Sequence, residues 1–214
     1  MVRLDILSDP VCPWCLIGKA GLDRALAARP GHPFVIEWHP FQLNPDLPPG
    51  GVDRDDYLRA RMGGPEALAR ADAMLAERAA AAGVTIRRFP GQRIPNTLDA
   101  HRLIHWAGIE GRQGAAVDAL FAANFAQGRD IGDPAVLADI AGAIGMDAAA
   151  VARLLGGDAD RDLIREREAH SRARGVGAVP TFIVAGRHVV QGAQPAELWE
   201  RVIDELLAGQ GETA

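Results

Sequence analysis

The chain has 214 residues, 48% of them hydrophobic and 24% charged, with a formal net charge of -5. That is ample apolar material for a large core, and an acidic balance argues against nucleic acid, which needs a basic face. No stretch approaches the ~20 apolar residues of a spanning helix, and the first residues carry no cationic stretch leading into an apolar run, so a cytoplasmic protein without a membrane partner is expected.

Val2 to Ser8 reads as a strand with Val2, Leu4 and Ile6 on one face. Asp9-Pro10-Val11 turns into Cys12-Pro13-Trp14-Cys15 and a helix running to about Ala28, with Pro13 suited to a first helical position. Phe34 to Phe41 alternates as a second strand, and β, α, β in so short a span predicts a parallel pair. A helical block follows. One helix opens at Gly64-Pro65 and closes at Gly83; Asn96 caps another with Ala100, Leu103, Ile104 and Ala107 on its stripe. A third carries Val117, Leu120, Phe121 and Phe125, a fourth starts at Asp133-Pro134, a short fifth at Asp147, and a longer one at about Asp160. Val179 to Val184 and His188 to Gln191 predict a hairpin, and Gln194-Pro195 opens a last helix. The expected fold class is α/β: a thioredoxin-like domain of residues 1–50 plus 158–214, interrupted by an all-helical insertion of residues 51–157.

Only two cysteines occur, Cys12 and Cys15. In a reducing compartment such a pair points to catalysis or metal binding and not to a structural cross-link. Cys12 falls at the helix N-cap, where free N–H groups and the helix dipole favour a thiolate, the form that attacks a disulfide. Cys15 lies one turn on, placed to resolve the mixed disulfide. Pro180, after flexible glycines and just before a strand, suits a tight turn that admits a cis bond.

Four stretches carry a family resemblance: Asp9 to Cys15; Asn96-Thr97-Leu98-Asp99-Ala100-His101-Arg102; Gly175 to Phe182; and Gln191 to Pro195. In these the chain resembles the DsbA-like branch of the thioredoxin superfamily, and most closely its FrnE-type group. The resemblance implies a protein-disulfide oxidoreductase in which Cys12 is the exposed nucleophile and Cys15 resolves. A cis-proline at Pro180 would face the dithiol, and the Val179 backbone would pair with substrate. Pro13, Trp14, Asn96, Thr97 and His101 are expected to shape the substrate cleft. Partners would be thiol- or disulfide-containing proteins, peptides or small thiols; no cofactor is implied beyond the dithiol itself, although glutathione is admitted as a co-substrate. Two features depart from the pattern. Trp14 stands where DsbA has histidine, and Ile6 stands where thioredoxins and DsbA carry a buried acid, six residues before the first cysteine. Asp5, Asp9 or water is left to move the Cys15 proton.

Three other readings compete. A zinc site would need ligands such as His101 and His105, four apart on one helix but 85 and more residues beyond the cysteines, outside zinc-finger spacing. Kappa-class glutathione transferases and 2-hydroxychromene-2-carboxylate isomerases share the fold, but usually carry serine at the position of Cys12. A non-redox module gripping extended peptides beside Val179 is the third.

Overall fold

The computed structural model describes residues 1–211. In chain order the elements are β1 (Val2–Ser8), α1 (Pro13–Ala28), β2 (Phe34–Pro40), β3 (Val52–Asp53), α2 (Arg54–Met62) and α3 (Pro65–Ala81). Then come β4 (Arg93–Ile94), α4 (Leu98–Ile109), α5 (Gln113–Phe121), a π-helical turn (Ala122–Ala126), α6 (Pro134–Ala143) and α7 (Ala148–Leu155). The chain closes with α8 (Arg161–Ala173), β5 (Thr181–Val184), β6 (His188–Gln191) and α9 (Ala196–Gly211).

The main sheet has the order β2-β1-β5-β6. β1 and β2 are parallel, pairing Val2 with Phe34 and Ile6 with Trp38, whereas β5 runs antiparallel to both β1 and β6. Strand alternation sorts the side chains by face. Leu4, Ile6, Phe182 and Val184 enter the main apolar cluster with Leu22 of α1 and Trp199 and Ile203 of α9. Leu7 and Ile183 instead meet Phe41 and Val176 in a smaller cluster on the other face. Phe182 and Trp199 meet edge to face with ring centroids 4.7 Å apart.

The expected βαβ unit, hairpin and closing helix are all present, and the fold is α/β and thioredoxin-like with added helices. The main cluster runs without a break from the sheet into Leu103, Leu120, Leu137 and Val151 of the helical block, so sheet and helices share one core. A second contact joins them at α1 itself, where Ile17 meets Leu75 and Ala79 of α3. Lys19, the chain's one lysine, is 8% exposed and pairs with Asp23 on its own helix and Asp118 on α5.

Several details differ from the sequence reading. The helix expected to be capped by Asn96 has Thr97 at the capping position, and Asn96 Oδ1 instead accepts from the Leu98 N–H at 3.0 Å. The third predicted helix divides into α5 and the π-helical turn. α2 was not expected, and it buries none of its residues, so it has no apolar stripe to read. β3 and β4 form a two-pair ladder, Val52 with Ile94 and Asp53 with Arg93, too short to leave a pattern.

Two glycines let α1 lie close to its neighbours. A Cβ at Gly18 would sit 3.0 Å from the Pro180 ring, and one at Gly21 would sit 2.2 Å from the Gln194 carbonyl oxygen ahead of α9. The Gly21 contact is with backbone, which cannot swing aside. Gly21→Ala should therefore destabilise the protein by about 1–3 kcal/mol, as overpacking does, despite alanine's better helix propensity. Gly114→Ala in α5, where a Cβ meets nothing within 4 Å, should be neutral or slightly stabilising. Urea midpoints of the two variants check the contrast; equal midpoints would refute the close-packing account.

Candidate active site

The β1–α1 junction is built by a tight turn. The Cys12 N–H donates to the Asp9 carbonyl at 2.9 Å, and Cys12 takes the N-cap position of α1 with extended backbone, followed by Pro13. The Cys15 and Leu16 N–H groups close the first turn on the Cys12 carbonyl. Both cysteines are free thiols. Opposite them the Val179–Pro180 peptide bond is cis, and Cys12 Sγ lies 3.9 Å from the Val179 carbonyl oxygen. The Pro180 carbonyl accepts from the Gly192 N–H at 2.8 Å. Among the described residues the Val179 N–H donates to no backbone carbonyl.

Cys12 is only 3% exposed, in contrast to the exposed nucleophile that the resemblance implied. It lies against the floor of a cleft of about 620 Å³, whose walls come from the Gly177–Val179 loop and from the helical block. Pro13, Trp14 and Val179 line this cleft beside Cys12. Its largely apolar lining, with Met74, Leu75 and Phe125, also carries Arg54, Arg61, Arg87, Arg88, Arg93 and Asp72. Arg88 and Arg54 are engaged by Asp72, and Arg93 donates to the Gly50 and Gly51 carbonyls. Arg61 and Arg87 make no ion pair among the described residues.

Cys15 is 1% exposed and lies one turn inside. Burial, then its contact with Cys12, pushes the Cys15 thiol well above the ordinary range, while a hydrogen bond from Ser8 and the Asp9 backbone N–H pull the other way. Thus the second thiol does not ionise unaided near neutral pH.

Asn96, Thr97 and His101 do not line the cleft, a correction to the expected substrate wall. The first turn of α4 points inward, so they lie behind the dithiol. Asn96 Nδ2 donates to the Pro45 and Leu47 carbonyls and holds that loop. Thr97 and His101 are 2% and 3% exposed and surround Asp9, which is fully buried. Asp9 Oδ2 accepts from the Leu43 N–H at 2.7 Å and Oδ1 from the Val11 N–H at 3.3 Å, with a further hydrogen bond from Thr97. His101 Nε2 lies 3.8 Å from Asp9 Oδ1. Asp5 has a different environment, held by Arg3 Nε at 2.6 Å and His39 Nε2 at 2.7 Å. Asp5, Glu37 and His39 are the one trio of metal-type donors within reach of each other among the described residues, and it includes neither cysteine.

The DSBA-like thioredoxin domain model matches residues 3–204. The chain belongs to that family. A probable DsbA oxidoreductase from Streptomyces coelicolor is 33% identical, with TM-score 0.86 over 97% of this chain and 91% of that one. Two more distant structures share the fold. A 2-hydroxychromene-2-carboxylate isomerase has 17% identity and TM-score 0.74, covering 99% of each chain. The cytosolic disulfide reductase DsbM of Pseudomonas aeruginosa, solved with GSH, has 19% identity and TM-score 0.67, covering 96% of this chain and 99% of its own.

The buried pair behind the dithiol has a titration signature. Burial raises the Asp9 carboxyl to about 7, helped by the nearby Glu168 charge and opposed by its three hydrogen bonds. Burial also lowers His101 to about 3, against a hydrogen bond to the Phe41 backbone. Relative to unfolded values of about 3.9 and 6.5, folded Asp9 holds extra protons, so its contribution to stability falls as pH rises from about 4 to 7. Folded His101 holds fewer, so its contribution rises over about pH 3 to 6.5. In the wild type the two slopes offset. Asp9→Asn should expose the His101 slope, becoming more stable as pH rises from about 4.5 to 6.5. His101→Gln should show the reverse. Urea midpoints across that range check both, and parallel profiles for the two variants would contradict the assignment.

Proposed function

We propose that this protein is a thiol–disulfide oxidoreductase working through Cys12 and Cys15 on small or peptidic disulfides that carry acidic groups. The observation that carries the reading is the free dithiol at the N-terminus of α1, set at a cleft floor against the Val179–Pro180 loop. Cys12 stands at the N-cap of α1 with its thiol at the cleft. The Cys12 thiolate attacks a substrate disulfide, forming a mixed disulfide and releasing one substrate thiolate. Cys15 then attacks Cys12 Sγ, the second substrate thiolate leaves with the bonding electrons, and the dithiol is oxidised as the substrate disulfide is reduced. The same steps run backwards to oxidise a substrate dithiol, and the compartment's redox poise sets the direction. The cytoplasm suits a chain whose two cysteines serve chemistry and not cross-linking.

The cleft wall supports the substrate class. Arg61 and Arg87, free of ion pairs among the described residues, match carboxylates carried beside a sulfur, as in glutathione. Backbone groups of Val179 are placed to accept an extended segment beside Cys12. Arg87→Glu should raise KM for glutathione disulfide by about tenfold, the effect of losing one charge-assisted contact, with less effect on a neutral disulfide such as bis(2-hydroxyethyl) disulfide. An equal change for both substrates would argue against carboxylate recognition.

The cysteine roles separate by mutation. Cys12→Ser should abolish exchange, because a serine hydroxyl is not ionised near neutral pH. Cys15→Ser should keep capture and lose resolution, so covalent adducts accumulate and are read by intact-protein mass. Adducts on Cys12→Ser alone would reverse the assignment. Turnover of a glutathione-dependent isomerisation by both variants would favour the isomerase reading instead.

A further inference from the structure

The chemistry just described leaves a proton unassigned. Cys15 must lose one to attack Cys12, yet it is buried in surroundings that hold the proton on sulfur. The position six residues before Cys12 offers no base, since Ile6 is fully buried in the apolar cluster. Among the groups around the dithiol, Asp5 is committed to Arg3 and His39. Glu168 is committed to Arg172 at 2.7 Å and to the Gln42 N–H at 3.0 Å. Arg172 is further fixed over the Phe41 ring and against the Gln42 carbonyl.

Asp9 is different. Its backbone N–H faces the Cys15 sulfur, and among the described residues its carboxylate has no cationic partner within hydrogen-bond distance. The neighbouring His101 has its ring hydrogen-bonded to the Phe41 backbone. That donor use leaves Nε2 as an acceptor, and Nε2 is buried with no hydrogen-bond partner among the described residues, 3.8 Å from Asp9 Oδ1. A neutral imidazole lone pair at that place favours a protonated carboxyl over an ionised one. Ser8, which hydrogen-bonds the Cys15 thiol, shares with His101 a cavity of about 10 Å³, the size of one water molecule.

We infer that Asp9, backed by His101, takes the Cys15 proton when Cys15 resolves the mixed disulfide, and returns it when the Cys12–Cys15 disulfide is reopened. The inference rests on the oxidoreductase reading above. In the resolving step the Cys15 S–H bond breaks and its proton passes by way of Ser8 and His101, which both line that cavity, to the Asp9 carboxylate. The freed electron pair on Cys15 forms the bond to Cys12 Sγ, the Cys12–substrate S–S bond breaks, and the substrate leaves as a thiolate that takes a proton from solvent. In the reverse direction Cys15 departs as a thiolate and is protonated by neutral Asp9. Burial holds Asp9 near 7, so both forms are populated at neutral pH, as a group that gives and takes requires. The charged and titratable neighbours are His101 on α4, Glu168 and Arg172 on α8, and the two thiols on α1. Thr97 is a positioning residue: it accepts from Gln42 Nε2 at 3.5 Å and hydrogen-bonds the Asp9 carboxylate.

Rapid-quench kinetics of the full chain with glutathione disulfide separate capture at Cys12 from resolution by Cys15. The ratio of resolution to capture at about pH 7 should fall about a hundredfold in Asp9→Asn, the usual scale for losing a general base. The wild-type resolution rate should rise with pH through a midpoint near that of Asp9, and the variant should lose this midpoint. Thr97→Val, which removes one hydrogen bond to the carboxylate, should move the midpoint upward; this second variant serves if Asp9→Asn does not fold. Asp9→Asn slowing capture and resolution alike, or a midpoint unmoved by either substitution, would overturn the inference. Failure of the wild type to capture glutathione at all would instead defeat the oxidoreductase reading.

Discussion

A buried carboxylate at the end of β1 fixes the geometry on which the site depends. Through its two oxygens Asp9 holds the Val11 N–H, at the start of the turn into α1, and the Leu43 N–H, just beyond β2. Removing a charge from water is costly unless its lone pairs are filled, so the fold supplies donors from three directions: the turn, the loop after β2, and Thr97 at the head of α4. The same demand makes Phe41 to Leu43 a crowded segment. Its backbone groups are taken by Ser8, His101, Glu168, Arg172 and Asp9 in turn. The cysteines thus sit on a junction with little freedom, between a strand end, a helix start and the first turn of an added helix.

The helical block does more than cover the cleft. α3 reaches α1 through Ile17, two residues past Cys15, and α5 reaches it through the Lys19–Asp118 ion pair. Together with the close approaches at Gly18 and Gly21, these contacts hold the cysteine-bearing helix on several sides. Under the proposed exchange chemistry, a dithiol held this firmly needs little reorganisation between its open and closed forms, and differences among substrates fall to the cleft wall.

The sequence disclosed the parts whose signals are local. The period-two run of β1, the Cys-Pro-Trp-Cys placement after it, the proline ahead of β5 and the stripe of α4 each follow from neighbours a few residues apart. What it hid was set by distant partners. Asp9 could be named beside Asp5 as a candidate, but only the structure separates them: one meets an unpaired imidazole, the other a guanidinium. The resemblance puts Thr97 and His101 on the cleft wall, whereas both are buried around Asp9, because the inward face of a helix's first turn cannot be read from spacing. α2 has no apolar stripe, and β3 meets β4 across some forty residues of chain, so neither leaves a local mark.

Gln113 of α5 turns its side-chain amide onto β2, accepting from the Trp38 N–H at 2.8 Å and donating to the Trp38 carbonyl at 3.0 Å. That amide counterfeits one residue of a neighbouring strand. The sheet has two outer strands, β2 and β6, and on the β2 side a would-be intruder finds the middle of the ladder already spoken for. The two edges therefore differ: β2 offers a ladder interrupted at Trp38, while β6 carries the outer strand of the hairpin, so the sheet is not symmetrical towards a strand that would extend it.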